Sequence, residues 1–249
     1  MIENKKILLS NGCSWVWGDG LKNPETERWS FHISSKLGLK DENISVPGSS
    51  NKKILRNTLE WFDSNHRHLN DIVVIIGFTE LTRDYFYNAL LKENQNINWA
   101  TGNFQEKFSD NLNEQLKGLV DSTQERLELF NYYDSEEWKN WWKQYFIIHY
   151  DLNHFHNTLI KNIIFLQSLF KSYNIPYLFF ESFGCDLTEG QRKINNNLVD
   201  KTNIIDTSFA TFIGDNELDY SDNKGHPGKK SHEEWAKHIL SVLRERYER

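Results

Sequence analysis

The chain predicts an α/β fold: a central five-stranded parallel sheet covered by helices on both faces, with a large helical insertion after the third strand. Three observations predict it. Short apolar runs alternate with segments of helical spacing along most of the sequence. The run at 71–78 (DIVVIIGF) is almost entirely apolar and β-branched, as a strand buried on both faces must be. Finally, strand–helix–strand alternation requires crossover connections, which return each strand parallel to the last.

Taken in order, residues 5–10 (KKILLS) form a first strand that runs into Asn11-Gly12. Residues 29–37 (WSFHISSKL) have helical spacing and stop at Gly38, a residue suited to a helix C-terminus. A second short strand at 43–46 is closed by Pro47-Gly48, and a helix follows over 49–63 with Ile54, Leu55, Leu59 and Phe62 on one face. The third strand is 71–78. Regularity lapses from about 82 to 145, which is polar, Asn-rich and studded with aromatics; helical pieces are expected near 104–130 and 135–148. An amphipathic helix resumes at 152–173. Strands at 176–182 (PYLFFES) and 203–208 (NIIDTS) and a terminal helix at 231–247 complete the set. With no repeat or linker, the whole of 1–249 reads as one domain.

Composition sets the outer limits. A chain of 249 residues is long enough to bury a substantial core. Its 14% aromatic content, 16 Phe, 10 Tyr and 9 Trp, compensates for a modest 38% hydrophobic fraction, because each aromatic buries a large area. No apolar run is long enough to span a membrane. Two cysteines, Cys13 and Cys185, are too few for a disulfide framework or a tetrahedral zinc site, and no metal or cofactor is expected. The net charge of −6 argues against a broad phosphate-binding surface, so nucleic acid is not an expected partner. The first residues lack the apolar core of a signal peptide, which points to the cytoplasm. Abundant Asn, Lys and Ile read as AT-rich coding of the kind viral genomes carry, in which case the protein could belong to a virion.

Reactive loops in open parallel sheets follow the carboxyl ends of the strands. Four such loops hold unusual residues: Asn11-Gly12-Cys13-Ser14-Trp15 with Gly18-Asp19-Gly20 beyond; Pro47-Gly48-Ser49-Ser50-Asn51; Gly77-Phe78-Thr79-Glu80 with Arg83 further on; and Asp222-Asn223-Lys224-Gly225-His226-Pro227. A serine becomes a nucleophile when a base takes its proton, an acid orients the base and preorganised donors meet the oxyanion. Ser14 is the candidate nucleophile, His226 the base, and an acid upstream of His226 the orienter. A lone serine after a strand is more often a helix cap; its place among four such loops favours the chemical role. His232 is the rival base, but it falls where the terminal helix begins.

In their order, these loops resemble the SGNH (GDSL-like) hydrolase superfamily. Gly12-Cys13-Ser14 stands where that family has Gly-Asp-Ser. Gly48 stands at its oxyanion glycine, Gly77 opens its third block, and His226-Pro227 matches its last. The resemblance implies a flavodoxin-like three-layer sandwich and a serine esterase or deacylase acting through an acyl-enzyme; some members transfer acyl groups instead. It covers about 5–82 and 150–248. Two positions depart from the pattern. The third block has Thr79 where an asparagine donor is usual, so Asn51 or the Thr79 hydroxyl would join Gly48 in the oxyanion hole. Asn223 stands where the orienting aspartate is usual, leaving Asp222 or Asp219 to reach the base, or a dyad to work without either.

The aromatic excess adds a guess at the substrate. Trp138, Trp141, Trp142 and Tyr145 share one helical face by spacing, and Trp15 and Trp17 flank Ser14. The plain reading is packing; the sharper one is a wall for an acyl chain or a sugar ring, with Trp15 and Arg83 touching the substrate. Residues 82–145 carry seven Lys or Arg against eleven Asp or Glu, which disfavours stacking on a nucleic acid. The expected partner is therefore a small-molecule or glycan ester. The rival from another class is a non-catalytic carbohydrate-binding or virion protein on the same fold.

Overall fold

The computed structural model describes residues 2, 4–81, 83–88, 93–98, 152–184, 197–221 and 225–248. The chain divides into two compact units, Met1–Leu81 with His156–Arg249, and Thr82–Phe155. The elements are β1 (Ile7–Asn11), α1 (Ser14–Trp17), α2 (Pro24–Glu27), α3 (Trp29–Leu37), β2 (Lys40–Asn43), α4 (Asn51–Ser64), β3 (Ile72–Phe78), β4 (Arg83–Asn88), β5 (Glu93–Asn98), α5 (Leu152–Ser172), β6 (Tyr177–Glu181), α6 (Phe209–Asp215) and α7 (Lys229–Tyr247). Short 3₁₀ segments lie at His66–Asp71 and Lys201–Asn203.

In the first unit, β2, β1, β3 and β6 form a parallel sheet in that order, with Ile7 opposite both Lys40 and Ile72, and Val74 opposite Tyr177. The period-2 alternation of each strand sends its side chains to two cores. Leu8, Val73, Ile75, Leu178 and Phe180 face one way, into a cluster with Trp29 and Ile33 of α3 and Trp235, Ile239 and Leu243 of α7. Tyr177 and Phe179 face the other way and pack on Phe170 of α5, which in turn meets Phe62 of α4. Helices therefore cover both faces, as the alternation of the sequence requires. Trp29 and Trp235 are fully buried, and Trp235 stacks on Phe209 with ring centroids 5.0 Å apart.

Three expectations need correction. The second strand lies at Lys40–Asn43, not 43–46. It is an edge strand, partly solvated along its length, so it needs no apolar run, and Asn43 ends it by accepting from Ser45 N with its own side chain. The fifth strand is reduced, among the described residues, to one parallel bridge between Phe179 and Ile204, with Ile205 N donating to Phe179 O at 2.8 Å. A 3₁₀ turn ends just before it, the chain bends at Asp206-Thr207, and Ser208 already caps α6 through Thr211 N, so only Ile204 and Ile205 are left for pairing. In the second unit, residues 83–98 were expected to be irregular, yet β4 and β5 form an antiparallel pair with Arg83 opposite Asn98. Tyr85, Phe86 and Tyr87 are residue types that favour strands. The helices expected at 104–130 and 135–148, and Trp99, Trp138, Trp141 and Trp142, lie outside the described residues.

Candidate active site

The order β2-β1-β3-β6 reverses direction at β1, and the carboxyl ends of β1 and β3 flank the crevice that such a reversal opens. Ser14 sits there, as the first residue of α1. The loop that delivers it is fastened by buried polar side chains. Asn11, 1% exposed, donates from Nδ2 to Ile54 O (2.8 Å) and Thr58 Oγ1 (2.9 Å) of α4, and accepts from Gly12 N at 2.8 Å. Asn43 Nδ2 donates to Val16 O at 2.9 Å, holding the far end of α1 against β2. Two glycines let α1 lie directly on the sheet: a Cβ on Gly12 would stand 2.3 Å from Val16 Cγ2, and one on Gly77 would stand 2.6 Å from it. α1 is one turn long and closes at Gly18, whose φ of +91° allows Gly18 N and Asp19 N both to reach Ser14 O at 3.0 Å. As first residue of a helix, Ser14 has an N–H with no intrahelical acceptor. Ser14 is buried, at 5% exposure.

His226 sits on a small closed loop that meets the residues following Ser14. Ser221 N donates to His226 O at 2.9 Å, Gly228 N to Asp219 O at 2.9 Å, and Tyr220 bridges Pro227 in antiparallel fashion. Among the described residues, contacts of Trp15 and Asp19 join this loop to the Ser14 loop. Trp15 Nε1 donates to Gly225 O at 3.2 Å, and Asp19 Oδ2 lies 3.4 Å from His226 Nε2. Trp15, expected against substrate, is 5% exposed and packs on Phe183 and Phe209, with centroids 4.6 and 5.6 Å away. Its indole thus links the two loops from the core side.

The acids upstream of His226 divide. Asp219 is engaged elsewhere: its carboxylate accepts from Ser231 N at 2.7 Å and Lys230 N at 3.3 Å, capping α7, and Gly228 leaves room for it because a Cβ there would overlap Asp219 Oδ2. Asp222 lies outside the described residues. Among the described residues, Asp19 brings a carboxylate within ion-pair distance of the His226 ring, and the sequence displays it only as the middle of a Gly-Asp-Gly turn. The sequence placed Asn11 in the Ser14 loop without assigning it this fastening role and did not single out Asn43; a polar residue at the end of each of two adjacent strands was the available signal. His232, the rival base, is fully buried, accepts from Trp29 N on Nδ1 at 3.3 Å and meets Phe209 edge-on. Burial, aided by the charge of nearby His32, pushes its pKa down to about 3, so it is neutral and built into the core.

The candidate oxyanion donors occupy distinct positions. Gly48 is exposed, with φ +75° in a turn closed by Ser49 N donating to Val46 O at 3.1 Å. Asn51, buried at the start of α4, pairs with the backbone of Thr79: Oδ1 accepts from Thr79 N at 2.9 Å and Nδ2 donates to Thr79 O at 3.0 Å. The amide therefore ties α4 to the end of β3, and one hydrogen of its Nδ2 is committed there. Thr79 Oγ1 is buried without a hydrogen-bond partner. Arg83 begins β4, in the other unit. Among the described residues, no cluster of His, Cys, Asp and Glu could hold a metal ion, and no helix is long and apolar enough to cross a membrane.

No protein-family model matches the chain, and no curated protein does. Solved structures to which it is similar include TesA, at 10% identity with 96% of this chain and 99% of that one covered (TM-score 0.49). A second is the psychrotrophic esterase EstA from Pseudoalteromonas sp., inhibited by monoethylphosphonate, at 12% identity over 98% and 100% (TM-score 0.45). A third is a two-domain esterase active on acetylated mannans, at 11% identity, of which this chain spans half (TM-score 0.43).

Proposed function

We propose that the protein is a serine esterase or O-deacylase, with Ser14 as nucleophile and His226 as base. The observation that carries this reading is the meeting of two loops from opposite ends of the chain, through Trp15–Gly225 and Asp19–His226, at the carboxyl edge of β1. Ser14 Oγ attacks the ester carbonyl and gives its proton to His226. The C–O bond then breaks as His226 returns that proton to the leaving alcohol, and water releases the acyl group by the same steps reversed. The Ser14 and Gly48 N–H groups and the Thr79 hydroxyl receive the oxyanion. Thr79 suits the task because a buried hydroxyl without a partner gains most from a developing charge. Asn51 holds the Thr79 backbone and has one remaining hydrogen to offer. Asp222, on the same loop as His226 by sequence, is a further candidate to orient the ring, and the aromatic-rich composition of the chain suits a substrate that carries an acyl group on a sugar.

Labelling with a fluorophosphonate probe tests the nucleophile. Wild type is expected to label and Ser14→Ala to remain blank; equal labelling of the two, or none of either, sinks the proposal. Acetyl release from acetylated glycans, with and without an added sugar acceptor, separates hydrolysis from acyl transfer. A second reading, binding without turnover, draws on the commitment of the Asn51 amide to Thr79. It predicts glycan binding that Ser14→Ala and His226→Ala leave intact.

A further inference from the structure

Just past their carboxyl ends, β3 and β6 carry two buried hydroxyls, Thr79 and Ser182. We propose that Ser182 is a positioning residue for Thr79: its hydroxyl donates to Thr79 Oγ1 as the Thr79 hydrogen turns to the oxyanion, so that the two side chains act as a short donor chain. This rests on the reading of Thr79 as an oxyanion donor.

Strand register brings the two together. β3 and β6 pair as far as Phe78 opposite Glu181, and the ladder runs one bond further, with Ser182 N donating to Phe78 O at 2.8 Å. Thr79 and Ser182 are the next residues along. By the two-residue alternation they continue the face of Gly77 and Phe180, where a Cβ on Gly77 would stand 2.6 Å from both Phe180 Cζ and Val16 Cγ2. It is the face against which α1 lies. Both backbones are held. Thr79 N and O are taken by the Asn51 amide at 2.9 and 3.0 Å, and Ser182 O accepts from Ala210 N at 3.1 Å. What each side chain keeps is rotation about χ1. Neighbouring strands stand about 4.8 Å apart, so two hydroxyls on adjacent strands come within hydrogen-bond reach when they turn toward each other.

Among the described residues neither hydroxyl has a hydrogen-bond partner, although Thr79 is 5% exposed and Ser182 wholly buried. An unpaired buried hydroxyl lowers stability, so two side by side are a burden on the resting protein. A charge forming beside Thr79 reverses that balance. Once the Thr79 hydrogen is given to the oxyanion, Thr79 Oγ1 becomes a stronger acceptor, and the inner Ser182 O–H answers it. No proton changes hands. Both groups are then satisfied only as the charge develops, the condition under which an interaction lowers the barrier rather than tightening substrate binding.

Two readouts on the full chain test it: the rate of fluorophosphonate labelling and the thermal midpoint. Ser182→Ala should slow labelling about five-fold yet melt at or above the wild-type midpoint, because a hydroxyl that is unpaired at rest does not support the fold. Thr79→Val should slow labelling about a hundred-fold. In the Thr79→Val background, Ser182→Ala should slow it no further, since Ser182 then has nothing to act through. Ser182→Cys, which keeps a weak donor, should recover part of the rate. Labelling of Ser182→Ala at the wild-type rate, equal slowing in both backgrounds, or a clearly lowered midpoint overturns the assignment and leaves Ser14 as nucleophile. If wild type itself does not label, the esterase reading fails and the role of Ser182 falls with it.

Discussion

The loop that carries Ser14 is held from below by buried side chains, whereas the loop that carries His226 is held at its rim by main-chain bonds, an indole and a carboxylate. Asn11, Asn43, Gly12 and Gly77 press α1 against the end of the sheet, with the hydrogen bonds of Asn11 buried. By contrast, the His226 side chain is 22% exposed, and its loop closes on itself through Ser221 and Gly228. Such a division suits the acyl chemistry proposed above, in which a nucleophile and its oxyanion donors must be preorganised while a base adjusts as it takes and returns a proton. It also predicts that damage beneath Ser14 appears first as instability, and damage around His226 first as slow reaction.

The largest expected effect comes from filling the space beneath α1. Gly12→Ala sets a Cβ against Val16 Cγ2 and 2.8 Å from Gly77 O, and should cost about 3 kcal/mol in a urea melt. Because part of the overlap is with a side chain, Val16→Ala should recover some of that loss; no loss at all would mean that α1 is not seated on the sheet. Asn11→Ala strips a buried donor pair and orphans Gly12 N, and should cost about 2 kcal/mol. A stability unchanged by Asn11→Ala would erase the contrast between the two loops.

An effect of about the same size follows from pH, with no mutation. His232 has its pKa lowered to about 3 in the fold, against about 6.5 when unfolded. Below pH 6.5 the unfolded chain therefore binds a proton that the folded one refuses, so this contribution is complete above pH 6.5 and is lost as pH falls toward 3. Between pH 7.5 and 5 the loss should be about 2 kcal/mol. Thermal melts of wild type and His232→Asn across that interval check it: the variant should show a flatter dependence. The smallest effect is expected at the seam between the loops. Trp15→Phe keeps a ring in the core but removes the bond to Gly225 O, and should cost about 1 kcal/mol while slowing probe labelling more than it lowers stability. Equal labelling rates would show that the indole link does nothing for His226.

The strands and helices with strong periodicity were legible in the sequence. α3 runs over 29–37 as the spacing predicts, and β1, β3, β6, α4, α5 and α7 lie within two residues of expectation at each end. Misreadings fell where burial is incomplete or short. β2 is polar because one side of an edge strand meets solvent, the fifth sheet position is two residues long, and β4 and β5 lack an alternating pattern. At the site, Ser14, Gly48, Asn51, Thr79 and His226 could be nominated because each follows a strand or opens a helix, positions that chain topology alone identifies.

What the sequence determined by itself is the set of elements, the direction of the strands and the loops on which chemistry could occur, because hydrophobic periodicity and crossover handedness are local or nearly so. Only the tertiary structure decided which polar groups meet. Asp219 turned out to be a helix cap, Asn51 a tie to Thr79, Trp15 a buried link and His232 a neutral core residue, while Asp19 found His226 at the other end of the chain. The physical reason is that a carboxylate or an amide is equally content with any well-placed partner. Its residue type states what it can bond, and only packing decides what stands within 3 Å of it.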